Sequence, residues 1–120
     1  MEFRIEVTEK GPDVAVLAVD GEIDLATAPR LKEALLALAE EPKTVIVDLS
    51  KTQYLDSTAL GVLVGGLKRK RERGGELRLA GLTERVRRVF DITRLSTVFE
   101  IYSSVEEAKR EKKGVGGAPL

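Results

Sequence analysis

The chain has 120 residues, of which 42% are hydrophobic and 33% are charged, and its 20 basic and 20 acidic side chains give a formal net charge of zero. It contains no Cys and no His, which excludes disulfides, thiol nucleophiles, imidazole bases and nearly all zinc sites. With no excess of positive charge, we expect neither nucleic acid nor a membrane as a partner.

The length predicts one domain, which we place at 1–113, followed by a disordered tail at 114–120. No stretch approaches the roughly 18 apolar residues of a membrane span. The N-terminus alternates apolar and charged residues, unlike a secretory signal. We therefore expect a cytoplasmic protein.

The first half of the chain predicts a β-hairpin, a helix and a third strand. Apolar and polar residues alternate over 3–8, and an unbroken apolar run follows a Gly-Pro-Asp turn at 14–19. A helical unit at 24–41 carries one apolar face. The segment 45–49, which begins with three β-branched residues in a row, is then a buried strand. We expect it to lie parallel to the strand before the helix, because a helical crossover joins parallel strands.

The second half continues the alternation of helices and strands. We expect a helix at about 58–73, a strand at 77–79, a helix capped by Thr83, a strand at 98–102 and a polar helix that begins with a Ser104/Glu107 capping box and ends near Lys113. The fold class is therefore α/β, with a single mixed sheet that begins with a hairpin and is covered by about four helices.

Three glycines interrupt the helix predicted at 58–73. Gly61, Gly65 and Gly66 each cost about 1 kcal/mol of helix stability relative to alanine. Two explanations remain open from the pattern: close packing of the helix against the sheet, or close approach of a partner.

Polar side chains follow the second and third strands. Asp24 comes after the second strand, and Asp56, Ser57 and Thr58 come after the third. If these strands are neighbours, both clusters lie at one end of the sheet. We expect Ser57 to cap the following helix, with Asp56 as a second candidate cap, and the position of Ser57 also suits a phosphate carried on its hydroxyl. The pattern alone leaves a structural and a functional role open, and the carboxylates have no metal-binding spacing.

Three motifs resemble those of STAS domains, and more narrowly those of the bacterial anti-sigma factor antagonists. They are Val-Ile-Val-Asp-Leu-Ser at 45–50 with Leu-Asp-Ser-Thr-Ala-Leu-Gly-Val-Leu at 55–63, Gly-Glu-Ile-Asp-Leu-Ala-Thr-Ala at 21–28, and Leu-Arg-Leu-Ala-Gly-Leu at 77–82. The likeness runs from about Phe3 to Glu107. Ala59 is a departure, because the family pattern often has Gly there.

The resemblance implies a regulatory binding protein rather than an enzyme. Its unphosphorylated form would bind an anti-sigma factor that is also a serine kinase, and so release a sigma factor. Phosphorylation of Ser57 would end this binding, and a phosphoserine phosphatase would restore it. Asp24, Asp56 and Thr58 match positions around the phosphorylated serine, with Asp24 used in kinase recognition, and we add Gly61 to the expected partner-binding residues. No cofactor or metal is expected.

Three alternatives stay open. The chain could be a STAS module of another system, such as a stressosome component or a transporter-associated regulator. Asp24 and Asp56 could hydrolyse a nucleotide, although no Gly-rich loop followed by Lys is present. The basic run at 68–73 could contact nucleic acid, against the simpler interpretation of a solvated helix end whose cations complement the helix dipole.

Overall fold

The fold was obtained as a computed structural model that describes residues 2–110. Its strands are β1 (Arg4–Lys10), β2 (Val14–Asp20), β3 (Thr44–Lys51), β4 (Glu76–Ala80) and β5 (Glu100–Tyr102). Its helices are α1 (Ala28–Ala37), α2 (Ser57–Glu72), α3 (Glu84–Ile92) and α4 (Val105–Arg110), with a 3₁₀ turn at Leu95–Thr97. The predicted tail at 114–120 and the predicted end of the last helix lie outside the described residues.

The strands form one mixed sheet in the order β1-β2-β3-β4-β5. β1 is antiparallel to β2, and every later pair is parallel. This confirms the α/β fold class, the hairpin at the sheet edge and the parallel pairing of β2 with β3. The parallel pairs follow from the helical crossovers between successive strands.

The core lies mainly between the sheet and three helices. Alternate residues of β2, β3 and β4 pack with α1, α2 and α3 in the larger apolar cluster, which contains among others Leu17, Val47, Leu79, Leu31, Leu63 and Phe90. The opposite face of the sheet carries a smaller cluster beneath α4, built on Val16, Ile46, Ala80 and Ala108. Strands covered on both faces read as continuous apolar runs, as 14–19 and 45–47 do.

The short helix α4 is also tied to the sheet by buried charges. Arg78 Nε lies 3.0 Å from Glu100 Oε1, and both side chains are at most 5% exposed. Arg78 Nη1 donates to the carbonyl of Ala108 at 2.7 Å. The alternation at 77–79 predicts a strand but not that its central arginine is buried.

Several predicted boundaries were wrong. α1 begins only at Ala28, because Asp24 to Thr27 forms a turn instead of a first helical turn. β5 begins at Glu100, because the 3₁₀ turn and its hydrogen bonds take up the residues that the pattern assigns to the start of the strand. The Thr83 cap is confirmed, with its hydroxyl accepting from the amide of Val86 at 3.2 Å. In the described range no helix has the length and apolarity needed to cross a membrane.

Candidate functional site

The connection between β3 and α2 is held rigidly at the carboxyl edge of the sheet. Thr52 is fully buried, and its hydroxyl donates to the carbonyl of Val19 at 3.3 Å. Leu55 is 3% exposed and belongs to the larger apolar cluster. These anchors determine where α2 begins, and therefore where its first residues lie.

Asp56, not Ser57, is the N-cap of α2. Its backbone is extended, with φ −109° and ψ −174°, and its side chain accepts from the amide of Ala59 at 3.1 Å. The prediction that Ser57 caps the helix is therefore wrong by one residue. Ser57 is the first helical residue and is exposed, and its hydroxyl forms no hydrogen bond within residues 2–110. This leaves the hydroxyl free for modification.

The structure brings the segments after β2 and β3 together, as their shared edge predicts. Ile23 and Leu55 form an isolated parallel bridge, in which the amide of Ile23 donates to the carbonyl of Tyr54 at 3.0 Å. Asp24 and Asp56 each follow one residue of this bridge. Both carboxylates therefore lie at the edge of the sheet where α2 begins.

Asp24 also shapes its own turn. Its Oδ1 accepts from the amides of Ala26 and Thr27, each at 3.0 Å, and from the hydroxyl of Thr27 at 3.2 Å. Thr27 in turn accepts from the amide of Asp24 at 2.9 Å. Reciprocal bonds of this kind fix a loop conformation. Substitution of Asp24 will therefore disturb the loop as well as any contact that the carboxylate makes with a partner.

The three glycines of α2 separate into two kinds. A Cβ at Gly66 would lie 3.0 Å from Leu35 Cδ1 and 3.1 Å from Leu77 Cδ1, so Gly66 permits close packing of α2 on α1 and β4. A Cβ at Gly61 would meet nothing within 4 Å, and at Gly65 only the Arg69 guanidinium, at 3.6 Å. Packing inside the domain therefore explains Gly66 and does not explain Gly61.

A shallow groove runs along this side of α2. It encloses about 260 Å³ and is lined by Lys32, Thr58, Gly61, Val62, Gly65 and Arg69. We call it the α1–α2 groove. Ser57, Gly61 and Gly65 follow one another at helical i, i+4 spacing, so the groove extends along α2 away from Ser57.

Pattern reasoning missed four residues near this surface. Lys32 and Arg69 line the groove but look like ordinary surface charges in the sequence. Leu25 is 73% exposed and Tyr54 is 46% exposed, beside Asp24 and Leu55 respectively. No local pattern singles out the last two, since Leu25 is followed by Ala26 and Tyr54 by Leu55.

The basic run at 68–73 is not a continuous cationic surface. Lys70 is 3% exposed and its Nζ donates to the carbonyl of Pro42, and burial, followed by the nearby Arg73, lowers the pKa of Lys70. Arg73 Nε pairs with Glu40 Oε2 at 2.8 Å. Because these cations are engaged within the domain, they do not form an extended strip for phosphate contacts.

Within residues 2–110, no cluster of three or more acidic side chains is arranged to hold a metal ion. The chemistry that the site does offer is a free serine hydroxyl at a helix N-terminus. First-turn amides of a helix lack intrahelical acceptors, and the helix dipole there favours negative charge. A phosphate on Ser57 would meet these groups, and also the neighbouring Asp56 carboxylate.

Comparison with known proteins places the chain in a family. The sequence model of the STAS domain family matches residues 5–108 of this chain. A Listeria monocytogenes protein named anti-sigma-B factor antagonist is 45% identical over 102 residues, covering 84% of this chain and 90% of the relative. The Bacillus subtilis protein of the same name is 40% identical over 106 residues, covering 88% and 96%. The chain belongs to the STAS domain family.

A solved structure agrees with this placement. An anti-sigma factor antagonist from Mycobacterium paratuberculosis superposes with a TM-score of 0.80 at 29% sequence identity, covering 90% of this chain and 92% of that one. The resemblance inferred from the three sequence motifs is thereby confirmed at the level of family and fold.

Proposed function

We propose that this protein is an anti-sigma factor antagonist switched by phosphorylation of Ser57. In its unphosphorylated form it binds an anti-sigma factor that is also a serine kinase, and this binding releases a sigma factor. Phosphorylation of Ser57 weakens the complex, and a phosphoserine phosphatase restores it. The observation that carries the proposal is the exposed, unbonded Ser57 hydroxyl at the start of α2, in a chain whose relatives are named anti-sigma-B factor antagonists.

The site residues take separate parts in this proposal. Ser57 accepts the phosphate, while Asp56 fixes its position by capping the helix. Asp24 contributes to kinase recognition from the adjoining turn. Thr58 and Gly61 belong to the docking surface along α2, where Thr58 is half-buried and Gly61 leaves room for a partner.

The switch is electrostatic and local. Phosphorylation adds about −1.5 to −2 charges beside Asp56, at a helix end that tolerates negative charge. A partner that covers unmodified Ser57 in a dry contact would have to desolvate the phosphate. A penalty of about 2–3 kcal/mol weakens binding by roughly 30- to 150-fold. Refolding of the domain is not needed.

Several activities and partners are excluded in this proposal. The protein acts by binding and not as an enzyme, it needs no cofactor, and it works in the cytoplasm without nucleic acid or membrane as a partner. Within the 68–73 run, the burial of Lys70 and the ion pair of Arg73 with Glu40 support the exclusion of nucleic acid.

A phosphorylation assay tests the proposal. The protein is incubated with ATP and the purified anti-sigma factor kinase encoded in the same genome, and phosphate is mapped by peptide mass spectrometry. We expect one phosphate on Ser57, none on Ser57→Ala, and normal modification of the matched control Ser96→Ala, which lies on the 3₁₀ turn and outside the docking surface. Equal phosphate incorporation into Ser57→Ala would overturn the proposal.

A further inference from the structure

The α1–α2 groove carries two cations that the fold itself does not use. Lys32 contributes one from α1 and Arg69 the other from α2. Neither forms a salt bridge within residues 2–110, whereas Arg73, one turn beyond Arg69, pairs with Glu40. The groove therefore carries positive charge that is not neutralised within the described residues.

Arg69 is held over the groove instead of extending into solvent. Its Nη1 lies 3.6 Å from the position that a Cβ would occupy at Gly65. Its Nε is buried and has no acceptor in the described part of the chain. A buried guanidinium N–H without an acceptor costs free energy, which a carboxylate entering the groove would recover.

The charges along α2 have opposite signs at its two ends. Asp56 and Asp24 make the Ser57 end acidic, while Arg69 makes the other end basic. The Arg69 guanidinium lies over Gly65, and Gly65 is eight residues beyond Ser57, about 12 Å along the helix axis. This exceeds the screening length of about 8 Å at physiological ionic strength, so each end acts separately on a partner.

We infer that the α1–α2 groove receives an acidic helix of the anti-sigma factor, and that a carboxylate of that helix pairs with Lys32 and Arg69. This inference rests on the proposed function and adds the chemistry of the partner to it. Gly61 lets a helix backbone approach closely, and the planar fork of Arg69 matches a carboxylate. The basic end of the groove determines the orientation of the partner helix, and the phosphorylation state of Ser57 determines whether the partner binds.

Charge reversal tests the inference. The Lys32→Glu/Arg69→Glu variant is compared with Arg85→Glu/Arg88→Glu, which makes the same change in net charge on exposed residues of α3. Binding to the purified anti-sigma factor from the same genome is measured by calorimetry at low and moderate salt. We expect the groove variant to lose about 30-fold or more in affinity and much of its salt dependence, and the α3 variant to change by less than about threefold.

The outcomes separate this inference from the proposed function. If wild type does not bind the anti-sigma factor, both fail. If wild type binds and Ser57→Asp does not, but the groove variant binds like the α3 variant, only the groove inference fails. Lys32→Glu alone, at an exposed position, keeps the test valid if the double variant does not fold.

Separate action of the two ends gives a second readout. The fold-losses in affinity of Lys32→Glu/Arg69→Glu and Ser57→Asp should multiply in a double-mutant cycle to within about twofold. A larger coupling would contradict the separation. Recovery of the groove variant's binding by replacing a single acidic residue of the anti-sigma factor with lysine would identify the paired carboxylate.

Discussion

Gly61 and Gly66 lie in the same helix but should respond differently to alanine. A Cβ at Gly61 has no neighbour within 4 Å, so Gly61→Ala gains the helix propensity of alanine, about 1 kcal/mol, without a packing cost. A Cβ at Gly66 lies 3.0 Å from Leu35 Cδ1 and 3.1 Å from Leu77 Cδ1, and both leucines are buried. Overpacking of this kind costs about 1–3 kcal/mol, which cancels or exceeds the same gain.

Urea and thermal denaturation followed by circular dichroism measure the difference. We expect Gly61→Ala to raise the free energy of unfolding by about 1 kcal/mol and the melting temperature by about 4 °C. Gly66→Ala should be less stable than Gly61→Ala by at least about 1 kcal/mol. Gly65→Ala is the matched control, since its Cβ makes only an ordinary contact with Arg69. Equal stability of the Gly61 and Gly66 variants would refute the reasoning.

The same stabilised variant should be impaired in binding. A methyl group at Gly61 stands where we propose that the anti-sigma factor approaches α2, so affinity should fall by about tenfold, or about 1.4 kcal/mol. A gain in stability together with a loss of binding is typical of a residue retained for function. Unchanged affinity would show that Gly61 lies outside the interface.

Four further substitutions test other contacts. Burial, and then the Glu100 carboxylate, raise the pKa of Glu76 above its ordinary 4.5. Glu76→Gln should therefore match wild type in thermal melts below about pH 4 and become the more stable protein as the pH rises from there through the raised pKa of Glu76. A difference in stability that does not change with pH would contradict this. Glu100→Ala removes the buried carboxylate that pairs with Arg78 Nε and should cost about 3–5 kcal/mol in denaturant unfolding. A loss under about 1 kcal/mol would be the contrary result. Asp56→Ala should lower the free energy of unfolding by about 1 kcal/mol, and Ser57→Ala should leave it almost unchanged. The reverse order would show that Ser57 is the N-cap.

Local patterns predicted most of the architecture. The apolar runs at 14–19 and 45–49 became β2 and β3, paired in parallel on either side of the α1 crossover. Such runs indicate buried strands, because strands covered on both faces need mostly apolar residues. The edge shared by Asp24 and Ser57 followed from the same pairing, since parallel strands end together.

The details of the site depended on geometry that a pattern does not contain. Asp56 and Ser57 are both good capping residues, and the choice between them depends on which backbone is extended at the end of the connection. Likewise, Gly61 and Gly66 are equivalent in the sequence. Only the position of Leu35 and Leu77 beside Gly66 shows which glycine the domain needs for packing.

Buried charge was the other feature that alternation misjudged. Arg78 occupies the polar position of the β4 pattern, which predicts a solvent-facing side chain. α4 covers that face, and Glu100 on the neighbouring strand supplies the opposite charge. A tertiary contact between residues 22 positions apart decided its burial, and no local pattern encodes such a contact.

The account depends on Ser57 as a switch that controls one interface. The most direct measurement is the affinity of the protein for its anti-sigma factor before and after stoichiometric phosphorylation of Ser57, by calorimetry at physiological salt. We expect phosphorylation to weaken binding by about 30- to 150-fold while the melting temperature stays nearly constant. Affinities that agree within about threefold, or an interaction lost only because the phosphorylated domain unfolds, would contradict the account.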